Sequence, residues 1–436
     1  MFKHRSDGDR GGHSVIFISR QIPRRAGSAA SVQTARATPL TALPLLALLL
    51  AAAILLSACA DRPGADVLTP NLTEAPGAKP HTILVATTRA RDPRPGTLFS
   101  GERGTGLDFA NVTLTVPPAH QPGGIEWPKQ APGNPATEMV VHEAVYRDTD
   151  QDFVRDLNAQ LARLPAGNRN VLVFVHGYNT MFSEALYRLT QMTHDSDVPG
   201  VPVLFSWASR GKTEDYVYDN NSATAARDNL ERTLTLVASS KAEKITIMAH
   251  SMGNWVTVEA LRQMKIGGNG LPANRVGNII LAAPDIDVDV FKSQLKRFGK
   301  PEKPFIVIVS RDDKALGFSD FLAGGKVRLG NYTNDDELVA LGAVVIDMTN
   351  VKAMDPMNHG KFAQLAQLAP ALRGQLAAHG ALAGAKPNTI ELDGIQISGV
   401  NQNIGLLPAL AAPAGAATPA EVATPGVAAT PAAPAR

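Results

Sequence analysis

The residues best able to do chemistry lie at the ends of two apolar runs. Lys244-Ile-Thr-Ile-Met248 leads into Ala249-His250-Ser251-Met252-Gly253-Asn254, and Val171-Leu-Val-Phe-Val175 leads into His176-Gly177-Tyr178-Asn179. A serine hydroxyl attacks well only when a neighbouring base takes its proton. A serine on a sharp turn between strand and helix points outward, where such a base can reach it. The turn is cramped, so the flanking positions must be small. Ala249 and Gly253 meet that need, although Ala249 departs from a Gly-x-Ser-x-Gly pattern. Attack on an acyl carbon builds an oxyanion, which two backbone N–H groups can hold. Met252 supplies one at the start of the next helix, and the loop after Gly177 supplies the other, from Tyr178 or Asn179. Gly177, Asn179 and Trp207 are assigned to the substrate side of the site. The chemistry expected is acyl transfer by an activated serine, Ser251.

Those turns need strands behind them. From residue 170 onward, strands are expected at 170–175, 202–207, 244–249, 278–282, 305–309 and 343–348. Helices are expected at 183–194, 223–238, 254–264 and 288–297, with another beginning at Lys361. Ahead of these, 81–88, 111–116 and 138–146 read as strands that open the sheet antiparallel. Phe153, Leu157 and Leu161 fall at helical spacing. Alternating helices and buried-type strands predict an α/β fold, with a mostly parallel central sheet and helices on both faces. Near the end, Leu365, Leu368, Leu372 and Leu376 form one stripe, and Asp393-Gly394 sits at the turn of a small hairpin.

The order of these elements resembles the α/β-hydrolase fold. The runs His176-Gly-Tyr-Asn179, Phe205-Ser-Trp207, Ala249-His-Ser-Met-Gly-Asn254, Ala283-Pro-Asp-Ile-Asp287 and Asp313-Lys-Ala-Leu316 are similar to a bacterial α/β-hydrolase family of uncharacterised, esterase-like or lipase-like function. The resemblance spans roughly Ile83 to Ala378. It implies a Ser-His-Asp triad of Ser251, His359 and Asp313, with Asp313 matching the family's Asp-Lys-Ala-Leu run. Asp285, one strand earlier, is the alternative acid, Asp312 is the adjacent competitor, and Asp347 lies at a strand end. His359 follows the last strand, where the fold keeps its base, whereas His379 reads as a helix cap. His176 and His250 are expected to support the site, with His250 facing the flank of the sheet. The expected activity is a serine hydrolase acting on carboxylic esters. A non-catalytic binding or scaffold lipoprotein with the same fold is the alternative.

The ends of the chain bear on location. Residues 1–39 are polar and basic, Leu43–Leu56 is apolar, and Leu56-Ser57-Ala58-Cys59 resembles a bacterial lipoprotein box. The expected organisation is a signal peptide at 1–58, a tether at 59–80, a hydrolase domain at 81–380, a hairpin extension at 381–407 and a disordered Ala/Pro tail at 408–436. Cys59 is the expected lipidation site, and Ala60 behind it suggests the outer membrane of the bacterial envelope. As the single cysteine of the chain, it leaves no intrachain disulfide. The whole chain carries 42 − 40 = +2, of which residues 1–58 hold 7 − 2 = +5, so the remainder is 35 − 38 = −3. That balance gives no ground for nucleic-acid binding. The expected partners are a small-molecule or lipid-like acyl substrate and, through the lipid anchor, a membrane. No phosphate-cradling loop and no Cys/His ligand spacing are visible, so neither cofactor nor metal is expected.

Overall fold

The computed structural model describes residues 62–299, 303–365, 389–392 and 394–399. In chain order the strands are β1 (Lys79–Arg91), β2 (Phe99–Val116), β3 (Val140–Arg147), β4 (Asn170–Val175), β5 (Val201–Ser206), β6 (Lys244–His250), β7 (Val276–Ala282), β8 (Phe305–Val309), β9 (Ala343–Asp347), β10 (Thr389–Leu392) and β11 (Ile395–Ser398). The helices are α1 (Asp150–Ala162), α2 (Phe182–Ser196), α3 (Tyr216–Ser239), α4 (Gly253–Gly267), α5 (Val288–Phe298), α6 (Lys314–Leu322) and α7 (Asp335–Ala340). The strands form one sheet in the order β10-β11-β9-β8-β7-β6-β4-β5-β1-β2-β3. Its centre, from β9 through β1, is parallel. The edges β2, β3, β10 and β11 are antiparallel.

Side chains on a strand alternate between faces, so a sheet covered on both sides is apolar at every position. Strand β8 shows this directly. Phe305, Val307 and Val309 enter one core, and Ile306 and Ile308 enter the other. The first core takes the buried stripes of α1, α3, α4 and α5, including Phe153, Leu230, Val256 and Phe291. The second takes α2, through Leu186, Tyr187 and Leu189, together with Phe362 and the hairpin residues Ile395 and Ile397. The parallel centre fixes one consequence for function. All its strands end on the same side, and the turns that follow β4, β6, β7 and β8 are neighbours there.

Several expectations shift. Helix α3 begins at Tyr216, earlier than expected, because its first turns are polar but Asp219 and Ser222 are nonetheless buried. Helices α6 and α7 were not anticipated, since each is too short to display a clear period. The expected tether is, from Arg62 on, laid against the domain. Val67 and Leu68 join the second core, the Asn71 N–H donates to the Val141 carbonyl at 2.8 Å, and the Arg62 guanidinium donates to the Gly211 carbonyl. Two apolar side chains within a Pro/Gly-rich stretch, together with these hydrogen bonds, dock it. The signal segment, Cys59, Leu368, Leu372, Leu376, His379 and the Ala/Pro tail lie outside the described residues. Among the described residues, no helix is long and apolar enough to cross a membrane.

Candidate active site

Ser251 sits between β6 and α4 with φ of 54°. A residue with a Cβ rarely adopts this left-handed conformation, and holding one there costs about 1–3 kcal/mol. Hydrogen bonds over-determine the turn. The Ser251 N–H donates to the Ala282 carbonyl at 3.0 Å. Its own carbonyl accepts from Asn254 N at 3.1 Å, Asp285 N at 3.2 Å and Asn254 Nδ2 at 2.9 Å. Asn254, fully buried, sends the same amide to Ala282 at 2.9 Å and so ties the turn to β7. Two glycines are steric requirements. A Cβ on Gly253 would lie 2.3 Å from the His176 carbonyl oxygen, and one on Gly177 would lie 2.7 Å from Ser251 Cβ. The His176-Gly177 loop therefore lies directly against the serine.

That loop has its own supports. The Asn179 N–H donates to Asp219 Oδ2 at 3.1 Å, with Asn179 itself at φ of 56°. Of the two N–H groups expected to face an oxyanion, the one on Asn179 is thus engaged, which leaves Tyr178 beside Met252. Asp219 is fully buried and also accepts from Ser209 Oγ and the Arg210 N–H. Burial raises its pKa. The buried Arg89 bridges the same region, donating to Ser206 Oγ at 2.8 Å and to the Thr180 and Ser209 carbonyls. Trp207 corrects an expectation. It is fully buried, stacks on His176 at 5.1 Å and donates from Nε1 to the His176 carbonyl at 2.8 Å. Its role is to fix the loop from below, and substrate contact is closed to it. Tyr178 spends its hydroxyl on the Thr213 carbonyl and lies edge-on to Tyr216 at 5.0 Å.

Asp313 follows β8 and caps α6. Its Oδ1 accepts from the Leu316 N–H at 3.0 Å, which leaves Oδ2 for His359 Nδ1 at 2.6 Å. The carboxylate is thereby oriented by the helix it caps, and the helix N-terminus favours its charge. His359 lies in the loop after β9. Asp355 builds that loop, accepting from the N–H groups of Met357, His359 and Gly360 at 3.0, 3.1 and 2.9 Å. The buried Lys361 anchors it to both oxygens of Asp312 at 2.7 and 2.8 Å. His250, next to Ser251, packs its ring 4.5 Å from that of His359 and places Nε2 3.3 Å from the His359 carbonyl. It also stacks on Phe362 of the second core at 4.1 Å, and so lies between the flank of the sheet and the loop that carries His359.

The other acids have different partners. Asp285 follows β7, accepts from Ser319 Oγ at 2.6 Å and lies 3.1 Å from Arg328 Nε. Asp312 is held by Lys361, and Asp347 binds Arg311 and Thr349. The histidines also separate. Burial lowers the pKa of His176 to about 3, with Arg89 adding to the shift, and lowers that of His250 well below 6.5. At His359 burial acts downward too, but the hydrogen bond and charge of Asp313, with Asp285 and Asp355, outweigh it and raise the pKa above 6.5. Only His359 of the three is thus disposed to accept a proton near neutral pH.

Around this group lies exposed apolar surface. Phe318, Phe321 and Leu322 project from α6, Val217 from the first turn of α3, and Met354 and Met357 from the loop before His359. The loop and helix meet where the Lys314 N–H donates to the Met357 carbonyl at 3.0 Å. Tyr216 links α3 to α6 through Ser319 at 2.9 Å.

Sequence reasoning missed Asp219, Arg89 and Asp355. Only Asp355 carried a local signal, the Asp-Pro dipeptide of a turn. It also expected no metal constellation, whereas His120, His194 and Asp195 bring ligand atoms within 4.8 Å of one another. That group forms across distant segments, so ligand spacing could not reveal it. A family model described as "Alpha/beta hydrolase of unknown function (DUF900)" matches residues 151–376, more than half of the chain. No curated protein matches it.

Proposed function

The chain belongs to this α/β-hydrolase family of unknown function, and on that premise we propose that it is a serine hydrolase cleaving carboxylic esters. Ser251 attacks the acyl carbon while His359 takes its proton through Nε2. Asp313 holds the Nδ1–H, which fixes the tautomer and steadies the imidazolium as it forms. The N–H groups of Met252 and Tyr178 hold the oxyanion. His359 then returns the proton to the leaving alcohol, and water releases the acid from the acyl-enzyme by the same steps. The observation that carries this reading is the 2.6 Å Asp313–His359 pair in the loop packed on His250, beside a serine held in a strained turn.

The exposed Phe318, Phe321, Leu322, Met354 and Met357 favour an ester with an apolar acyl chain, which gains by burying such surface. A lipid-like substrate fits the proposed lipidation of Cys59 and residence on the bacterial outer membrane. The test is a panel of esters of increasing acyl length with the purified chain. Turnover that rises with chain length and vanishes in Ser251→Ala is expected, and no hydrolysis of any ester would contradict the reading. For the anchor, Cys59→Ser is expected to move the protein from the membrane to the soluble fraction, and unchanged fractionation would contradict it.

A further inference from the structure

At the opposite ends of the strands from Ser251, where β1 begins and α2 ends, lies a second cluster of titratable groups. His120, from the long connection between β2 and β3, places Nε2 2.8 Å from Asp195 Oδ1. His194 and Asp195 belong to the last turn of α2. One ligand atom of each of the three lies within 4.8 Å of the others. The His120 and His194 rings stand edge-on at 5.0 Å. The His120 and Asp195 side chains are only 5% and 1% exposed.

The atoms turned away from this point are all occupied. His120 Nδ1 donates to Glu126 Oε2 at 2.7 Å. His194 Nδ1 meets His81 Nε2 at 3.0 Å. Asp195 Oδ2 accepts from the Gly123 N–H at 2.7 Å and from Gln191 Nε2. Ligating histidines are typically held in this way, with the second ring nitrogen on a carboxylate or another outer partner. His120 Nε2 and Asp195 Oδ1 meet at 2.8 Å, and one ring nitrogen of His194 completes the group within 4.8 Å.

We propose that His120, His194 and Asp195 bind a zinc-class divalent cation, with Glu126 and His81 orienting the two imidazoles. Two nitrogens and one carboxylate oxygen suit Zn²⁺ and its first-row neighbours better than Mg²⁺ or Ca²⁺, which prefer all-oxygen sites. Asp195 and Glu126 place two carboxylates against the imidazoles, a setting that suits a divalent cation. The carbonyl end of α2 favours positive charge at the same place. The cation's role is structural. It pins residues 117–139, which lack regular secondary structure, to α2 in a chain whose single cysteine permits no intrachain disulfide.

The test uses the full untagged chain, stripped of metal and titrated with Zn²⁺ alone. One ion per chain is expected, with Tm rising by roughly 5 °C at saturating zinc. His120→Gln and His194→Gln should each lose about 100-fold or more in affinity, and Glu126→Gln about 10–100-fold. Absence of a zinc-dependent Tm shift in the unaltered chain, or an equal shift in His120→Gln and His194→Gln, would overturn the proposal. Should a ligand variant fail to fold, Co²⁺ bound to the unaltered chain decides. Strong visible bands of low-coordinate cobalt are expected, and the weak spectrum of aqueous Co²⁺ would overturn it.

Discussion

Asp285 and Asp313 stand at the ends of adjacent parallel strands, β7 and β8, and both are buried. They differ in what they face. Asp313 faces an imidazole that can gain and lose a proton, and the α6 N-terminus helps to orient it. Asp285 faces Arg328, whose charge is permanent, and the hydroxyl of Ser319. Burial raises the Asp285 pKa, and the Arg328 charge and Ser319 hydrogen bond offset part of that. The same residue type at equivalent strand ends is therefore paired with an imidazole in one case and with a guanidinium in the other. Position after a strand nominates an acid, and its partner decides the role.

The largest effect tests what the comparison presumes, a nucleophile for the base to serve. Ser251→Ala is expected to cut kcat for ester hydrolysis by about 10⁵-fold or more with the fold retained, as judged by unchanged Tm. Next, Asp313→Asn is expected to cost about 10⁴-fold in kcat, because the amide no longer enforces the reactive tautomer. The pH profile sharpens this. The proposed mechanism needs neutral His359, whose pKa is raised above 6.5, so kcat/KM in the unaltered chain should fall as pH drops through a value above 6.5. In Asp313→Asn the raising partner is gone, and the residual acid limb should move to lower pH. A limb that stays in place would separate Asp313 from the titrating group.

Gly177→Ala is expected to cost about 10²-fold in kcat. Its Cβ would meet Ser251 Cβ at 2.7 Å, which displaces the loop that offers the Tyr178 N–H. The smallest catalytic effect belongs to the other acid. Asp285→Asn should change kcat by less than about threefold while costing about 2 kcal/mol of stability, since it leaves Arg328 buried without its counter-charge. Ester assays beside thermal melts read both quantities. A thousandfold loss of kcat in Asp285→Asn with unchanged Tm would reverse the two assignments.

What was legible in the sequence was whatever is encoded along the chain. The strand–turn–helix runs around His176 and Ser251 carry their own steric logic, and chain order with the Asp-Lys-Ala-Leu run favoured Asp313 while leaving Asp285 and Asp312 as alternatives. The alternation of elements after residue 170 pointed to the parallel centre, and three successive strands ahead of it to the antiparallel β1–β3 edge. Trp207 misled because an aromatic residue at a strand end looks like a pocket wall until its burial and its bond to His176 are known. Asp219, Arg89 and the His120–His194–Asp195 group were hidden for one shared reason. Each acts through a contact between distant segments, and no local pattern marks a charged or imidazole side chain that will be buried by something far away.

The central claim is that Ser251 is a nucleophile activated by His359 and Asp313. Its most direct test is labelling of the purified chain with a fluorophosphonate, followed by peptide mass mapping of the adduct. One adduct on Ser251 is expected, absent in Ser251→Ala, formed far more slowly in Asp313→Asn and at an undiminished rate in Asp285→Asn. An unlabelled chain, or an adduct on any other residue that persists in Ser251→Ala, would contradict the account.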